Sequence, residues 1–252
     1  MLAIIGGSGL TKLATLAVAR REIVRTPYGE PSAPLVFGQI AGQDVVFLAR
    51  HGHGHTIPPH RVNYRANLAA LHSRGAHAVI AVASVGGIGG HRPGELVLPH
   101  QLIDYTYARQ HTFFDGGDMK VVHADFTHPY TPELRATCLV AARQAGIMVS
   151  DGGVYAAVQG PRLETAAEID RLERDGATMV GMTGMPEAGL ARELELPYAS
   201  ICVIVNHAAG RGDSAQSISM EALLRTLEAG MDKVRALLDH LVPRVPPPAS
   251  AR

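Results

Sequence analysis

The stretch AVIAVASVGGIGG, residues 78–90, decides how the chain folds. Its first six residues are all apolar, so it reads as a strand covered on both faces, as in a sheet with helices on each side. It then opens into Ser84 and four glycines. Small residues at a strand's C-terminal end let a ligand approach the backbone, and they equally suit a flexible turn. Apolar runs of strand length recur at LAIIG (2–6), LVFGQI (35–40), DVVFLAR (44–50), VYAAVQ (154–159), MVGM (179–182) and YASICVIVN (198–206). Helical spacing fills several of the intervals. Val62, Ala66, Ala69 and Leu71 lead to Gly75, a helix stop. Thr131, Pro132 and Glu133 start a second helix that ends at Gly146. Ala166, Ile169 and Leu172 lead to Gly176, and apolar residues from Met220 to Leu241 fall at spacings of three and four. Strands alternating with helices, with no internal linker or solenoid-length repeat, predict one α/β domain over residues 1–242. The last ten residues, PRVPPPASAR, suit neither helix nor central strand and predict a loose tail at 243–252.

Composition narrows the function classes. The 252 residues are 46% hydrophobic and 18% charged, enough for a full core and unlike a disordered chain. Lys+Arg and Asp+Glu number 23 each, which argues against a broad basic surface for nucleic acid. The N-terminus lacks the basic start of a signal peptide, and no apolar run approaches the length of a membrane span. Cys138 and Cys202 lie in apolar stretches and read as buried thiols of a reducing compartment. A soluble cytoplasmic protein is expected, with no membrane or nucleic-acid partner.

Five further stretches carry polar groups at the ends of apolar runs. IIGGSGL (4–10) places bare backbone N–H groups and the Ser8 hydroxyl after a strand, which suits an anion or a tight turn. It lacks the Gly-Lys-Ser/Thr of a P-loop and the third glycine of a dinucleotide fingerprint. In ARHGHGHTIPPHRVNYRAN (49–67), His51, His53 and His55 could share one face of a strand, and a metal site must be weighed. Arg50 and Arg61 flank the string with no acidic residue near, which favours an oxyanion over a metal. In QGPRLETAAE (159–168), Glu164 precedes a helix, either as a favourable charge at its start or as a ligand group. VGMTGMPEAGLARE (180–193) puts Thr183 after a strand, with Pro186 and Glu187 opening a helix. Asn206 follows five apolar residues in ICVIVNHAAGRGDS (201–214); its amide either meets a heteroaromatic edge or ties down a turn.

Together with GELVLPHQLIDYT (94–106) and FFDG (113–116), these blocks, in this order, resemble the trimeric purine nucleoside and methylthioadenosine phosphorylases. The resemblance spans roughly residues 2–241. It implies a single α/β domain with a mixed central β-sheet flanked by helices, and phosphate-dependent cleavage of a purine nucleoside. Inorganic phosphate is then a co-substrate, with no cofactor and no metal. By the same resemblance Ser8, Arg50, His51, Ser84 and Thr183 hold phosphate, with Arg50 offering its guanidinium fork from a polar loop. Ala83 stands where the family often has a Thr. Asn206, Glu164 and His51 are the catalytic candidates. Met182 and Leu163 lie against the nucleoside, His55 lies near the sugar's 5′ end, and His123 reaches a neighbouring subunit's site. Homotrimers are expected, alone or paired into hexamers.

Two departures refine the expected substrate. The family's adenine-reading aspartates are replaced by Asn206 and Ala208, and Glu164 matches the enzymes that take 6-oxopurines. A histidine for the 5′-hydroxyl is replaced by Met220, beside Leu223 and Leu224. A 6-oxopurine with an apolar 5′ group is S-methyl-5′-thioinosine, and its phosphorolysis is the expected reaction. The rivals are an inosine/guanosine phosphorylase, a methylthioadenosine phosphorylase, a purine-binding protein without activity, and a histidine-metal hydrolase.

Overall fold

A computed structural model describes residues 1–10, 13, 15–117 and 120–245. The chain opens with strands β1 (Leu2–Gly6), β2 (Ala17–Glu22), β3 (Leu35–Ile40) and β4 (Gln43–Ala49). Helix α1 (Tyr64–Ser73) leads into β5 (Ala78–Gly87), β6 (Leu96–Leu98) and β7 (Gln101–Asp104). Helix α2 (Pro132–Gln144) precedes β8 (Val149–Asp151) and β9 (Val154–Ala157), and α3 (Ala166–Arg174) precedes β10 (Met179–Gly181). Helix α4 (Gly184–Glu193), β11 (Tyr198–His207) and α5 (Met220–Leu241) complete the order. Each of the seven apolar runs contributes to a strand, though Arg50, Val158, Gln159 and Met182 at the ends of three runs lie past the strands. Four strands were not legible: β6 and β8 are three residues long, β7 reads QLID, and β2, AVARRE, is largely exposed. Such strands are held by backbone pairing at the margins of the sheet and carry little apolar pattern.

Among the described residues all eleven strands join one mixed sheet. The mixed α/β fold expected from the sequence is present. The path runs β2-β3-β4-β1-β5-β10-β9-β7, and β11 lies along the other edge of β5 with β6 and β8 beyond it. Strand β5 is ten residues long and β1 only five. One edge of β5 is therefore shared: β1 pairs in parallel with Ala78–Ala81, and β10 pairs antiparallel with Gly86 and Gly87. No strand covers residues 82–85 on that edge among the described residues. A gap opens there in the middle of the sheet, and the functional cleft occupies it.

The helices start where side chains can replace missing backbone bonds. Asn63 accepts from the Ala66 N–H, Ser219 from Ala222 N–H, and Thr165 with Glu168 forms a reciprocal capping box. Helix α5 buries Leu227, Met231, Val234, Leu238 and Leu241. It comes so close to β11 that a Cβ on Gly230 would stand 2.3 Å from Val203 Cγ1. Past Leu241 the chain stays docked. Val242 is buried in a 3-10 turn, and the Val245 carbonyl lies 3.3 Å from His77 Nε2. Residues 246–252 of the expected tail lie outside the described residues.

Gly230→Ala tests that close approach. Helix propensity alone favours Ala by about 0.8–1 kcal/mol. Overpacking against the buried Val203 costs about 1–3 kcal/mol, so the variant is expected to melt below the wild type. A melting temperature at or above the wild-type value would show that the helix can retreat from the sheet.

Candidate active site

The cleft has a volume of about 870 Å³. The strand register explains how distant segments reach it. Gly6 lies opposite Ala49 at the end of β4, so the turn at Ser8 and the turn at Arg50 and His51 leave the sheet side by side. Ser84 lies in the uncovered part of β5. Val180 of β10 and Asn206 of β11 flank Gly86 from opposite edges. The pairing of β11 shifts between Ile204 and Asn206, a bulge of the kind that re-aims a side chain beside a site. Ser8, Arg50, His51, His55, Ser84, Leu163, Glu164, Met182, Thr183, Asn206, Ala208, Met220, Leu223 and Leu224 all line this one cleft. His123 is exposed and does not line the cleft of its own chain.

Arg50 differs from expectation. It lies in no polar loop but is 1% exposed, and Glu187 is 0% exposed. Its Nε and Nη2 donate to the two carboxylate oxygens of Glu187 at 2.6 and 2.8 Å, and Nη1 donates to the Val82 carbonyl at 2.9 Å. The fork expected for phosphate is thus bound to protein, because a guanidinium this buried requires a buried counter-charge. Burial opposes the charge on Arg50, but the Glu187 carboxylate outweighs it and holds the pKa above its ordinary value. Tyr198 Oη donates to Glu187 Oε1 at 2.8 Å and completes the network. Neither Glu187 nor Tyr198 was singled out as a site residue from sequence. The acidic helix start at Glu187 was visible, but nothing local connected it to Arg50.

The histidine string is not a strand either: β4 ends at Ala49 and the chain turns. His51 is buried, His53 is exposed, and the rings of His51 and His55 lie 4.7 Å apart. Burial, then the positive charge of Arg50, pushes the His51 pKa down to about 4. The ring is therefore neutral at pH 7. Its Nδ1 lies 2.8 Å from the Ile57 carbonyl, which can only accept, so the proton sits on Nδ1 and Nε2 keeps its lone pair. Burial also lowers the pKa of His55, whose Nε2 lies 3.5 Å from Ser8 Oγ. Thr183 stands at the start of α4 and lines the cleft; its hydroxyl makes no capping bond, and its backbone N–H donates to Tyr155 Oη at 3.3 Å. Among the described residues no group of three or more His, Cys, Asp or Glu is placed to hold a metal ion.

The lining also brings together Asn206, Ala208 and Glu164. Asn206 Nδ2 donates to the His207 carbonyl at 2.5 Å, which leaves one amide N–H and Oδ1. Glu164 is not the helix cap, since Thr165 and Glu168 fill that role. Burial raises its carboxyl pKa. Helix α5 adds an apolar part of the lining: Met220, Leu223, Leu224 and Leu227, joined by Ile218. Met220 and Leu224 remain 57% and 58% exposed.

The comparisons match this architecture. A family model described as "Phosphorylase superfamily" matches residues 1–243. The chain belongs to the phosphorylase superfamily. A relative from Pseudomonas syringae pv. tomato, named "Probable S-methyl-5'-thioinosine phosphorylase", is 53% identical over 241 residues, covering 95% of this chain and 97% of the relative. A Pyrococcus furiosus protein named "6-oxopurine nucleoside phosphorylase" is 40% identical, covering 97% and 93%. A solved structure of methylthioadenosine phosphorylase from Schistosoma mansoni with adenine superposes with a TM-score of 0.91 at 31% identity, covering 96% and 90%. As a member of this superfamily the chain is an enzyme of the nucleoside phosphorylase type, a pentosyltransferase.

The buried pair changes what Arg50→Ala does. Stranding Glu187 without its counter-charge is expected to cost about 3–5 kcal/mol and lower the melting temperature sharply. The double change Arg50→Met with Glu187→Leu should recover most of that stability. A single variant that melts like the wild type would contradict the pairing.

His51 links stability to pH. Its folded pKa of about 4 lies below the ordinary value of 6.5, so between these values the unfolded chain binds the proton more readily. Its contribution is complete above pH 6.5 and is lost as pH falls toward 4. The melting temperature of His51→Asn should therefore fall less over that interval than that of the wild type. Equal slopes would place the loss on other groups.

Proposed function

We propose that the protein catalyses phosphate-dependent cleavage of S-methyl-5′-thioinosine to hypoxanthine and 5-methylthioribose 1-phosphate. The observation that carries the reading is the contrast within the lining of one cleft: the polar Asn206 and Glu164 beside the apolar side chains of Met220, Leu223 and Leu224. The names of the relatives at 50–53% identity agree with it. Inorganic phosphate is the co-substrate, and the reaction needs no cofactor or metal.

Ser8, Ser84 and Thr183 supply hydroxyls for phosphate, and Arg50 offers the N–H groups that Glu187 and Val82 leave over. Neutral His51 accepts, through Nε2, a hydrogen bond from a hydroxyl on phosphate, so a deprotonated oxygen is the one turned to the sugar. The C1′–N9 bond breaks with its electron pair passing to the purine. The phosphate oxygen then supplies the pair for the new C1′–O bond. Asn206 donates its remaining N–H to O6, and Oδ1 accepts from N7 once that nitrogen takes a proton from water. Ionised Glu164 accepts from N1–H of hypoxanthine. Adenine presents a lone pair at N1, so the buried carboxylate would face it unpaired. At the sugar's other end a methylthio group is better placed against Met220 and Leu224 than a hydroxyl without a partner. This favours methylthioinosine over inosine.

The exposed rim residues Leu163, Met220 and Leu224 support a homotrimer, alone or paired into hexamers, in which a neighbour, through His123, completes each cleft. The buried free thiols Cys138 and Cys202 fit a cytoplasmic location.

The deciding experiment is a panel of methylthioinosine, methylthioadenosine, inosine, guanosine and adenosine, each assayed with and without phosphate. Methylthioinosine should give the highest kcat/KM, and only with phosphate. Faster cleavage of methylthioadenosine would refute the base reading, and faster cleavage of inosine the 5′ reading. Asn206→Asp should lower the preference for methylthioinosine over methylthioadenosine by roughly 30- to 1000-fold, the scale of about 2–4 kcal/mol for a buried bidentate contact.

The raised pKa of Glu164 adds a pH test. As pH falls, the neutral acid can donate to adenine N1, so the preference should narrow from pH 8 to pH 5. Glu164→Gln, which donates at every pH, should show a narrower and flatter preference. An equal pH dependence in both proteins would remove Glu164 from base recognition.

A further inference from the structure

Arg109 does not line the cleft, yet it holds two of the segments that do. Its Nη1 donates to the carbonyls of Met182 and Met185 at 2.8 and 2.6 Å and lies 3.4 Å from Tyr64 Oη. Its Nη2 donates to the Val158 and Gln159 carbonyls at 3.2 and 2.8 Å, and Nε donates to Gln159 Oε1 at 3.1 Å. All six acceptors are neutral oxygens, so the group is bound by geometry and not by a counter-charge. The guanidinium carbon also lies 5.6 Å from the centre of the Tyr64 ring.

We propose that Arg109 is a positioning residue that sets Glu164 against Met182 and Thr183, and so couples base selection to phosphate binding. The inference rests on the roles given above to those residues. Met182 and Met185 bracket Thr183, and Met185 has extended backbone angles (φ −120°, ψ 142°) at the start of α4. Carbonyls at such a kink lack regular helical partners, and Arg109 takes their place. Val158 and Gln159 open the irregular segment that leads to Leu163 and Glu164. One planar fork therefore spans both walls.

The backbone beside it is unusual. Ala108 has φ +55°, a left-handed conformation that a non-glycine residue adopts only when its surroundings require it. The turn at Ala108 aims the next side chain between the two segments. A lysine there could not replace the arginine. It offers three donors on one atom, and a point charge cannot bridge acceptors that face both ends of a fork.

The test compares wild type, Arg109→Lys and Arg109→Ala as full chains. The measurements are phosphate KM, kcat, the ratio of kcat/KM for 6-oxopurine over 6-aminopurine nucleosides, and thermal melts. Displaced walls predict a roughly 10-fold higher phosphate KM and a roughly 10-fold lower base preference in Arg109→Lys, with a smaller change in kcat. A residue that only holds the fold together would lower the melting temperature and the active fraction and leave phosphate KM and base preference at wild-type values. That result would overturn the proposal. Arg109→Lys decides the matter if Arg109→Ala does not fold. The wild-type panel tests the substrate reading separately, because the variants are compared on whichever nucleosides the wild type takes best.

Discussion

The hydrogen bond from Arg50 Nη1 to the Val82 carbonyl closes the backbone at the point where the sheet divides. Strand β1 stops after Gly6, while β5 continues for several residues, and β10 returns to its edge only at Gly86. A sheet edge left open in a protein interior exposes backbone groups that must find partners. Arg50 supplies one of them and is in turn fixed by Glu187, which Tyr198 also holds. A gap that would otherwise weaken the sheet becomes a cleft with defined walls.

That arrangement leaves the proposed phosphate region with little exposed charge. The formal charge of Arg50 is balanced by Glu187, and His51 is neutral at pH 7. Hydroxyls from strand ends and glycine turns, carried on rigid elements, provide the remaining polarity. Directional groups of this kind orient an anion without holding it too strongly to leave, which suits a co-substrate. Around Asn206 and Glu164 the balance is different. Glu164 is half-buried with its pKa raised, so a ligand that offers a donor removes an existing cost.

The two walls are also tied at a distance from the chemistry. Arg211 pairs with Asp170 and Glu173 of α3, linking the loop after Asn206 to the helix that follows Glu164. A Cβ on Gly210 would stand 2.7 Å from Ala166 Cβ, so the same loop and helix approach closely. These contacts lie outside the cleft lining.

The sequence by itself determined the seven apolar strands, the long amphipathic α5 and the α/β class, because periodicity is a property of neighbouring residues. It also placed polar groups at the ends of those strands, and the departures at Asn206, Ala208, Glu164 and Met220 were readable position by position. Only the tertiary structure decided what Arg50 binds, since Glu187 lies 137 residues away and no local pattern links them. It likewise moved the cap of α3 from Glu164 to the pair Thr165 and Glu168, freeing the carboxylate for the cleft. The short strands β6 and β8 and the fork of Arg109 belong to the same class. Their partners are mainly backbone groups, which residues of every type carry, so only the packed chain can select among them.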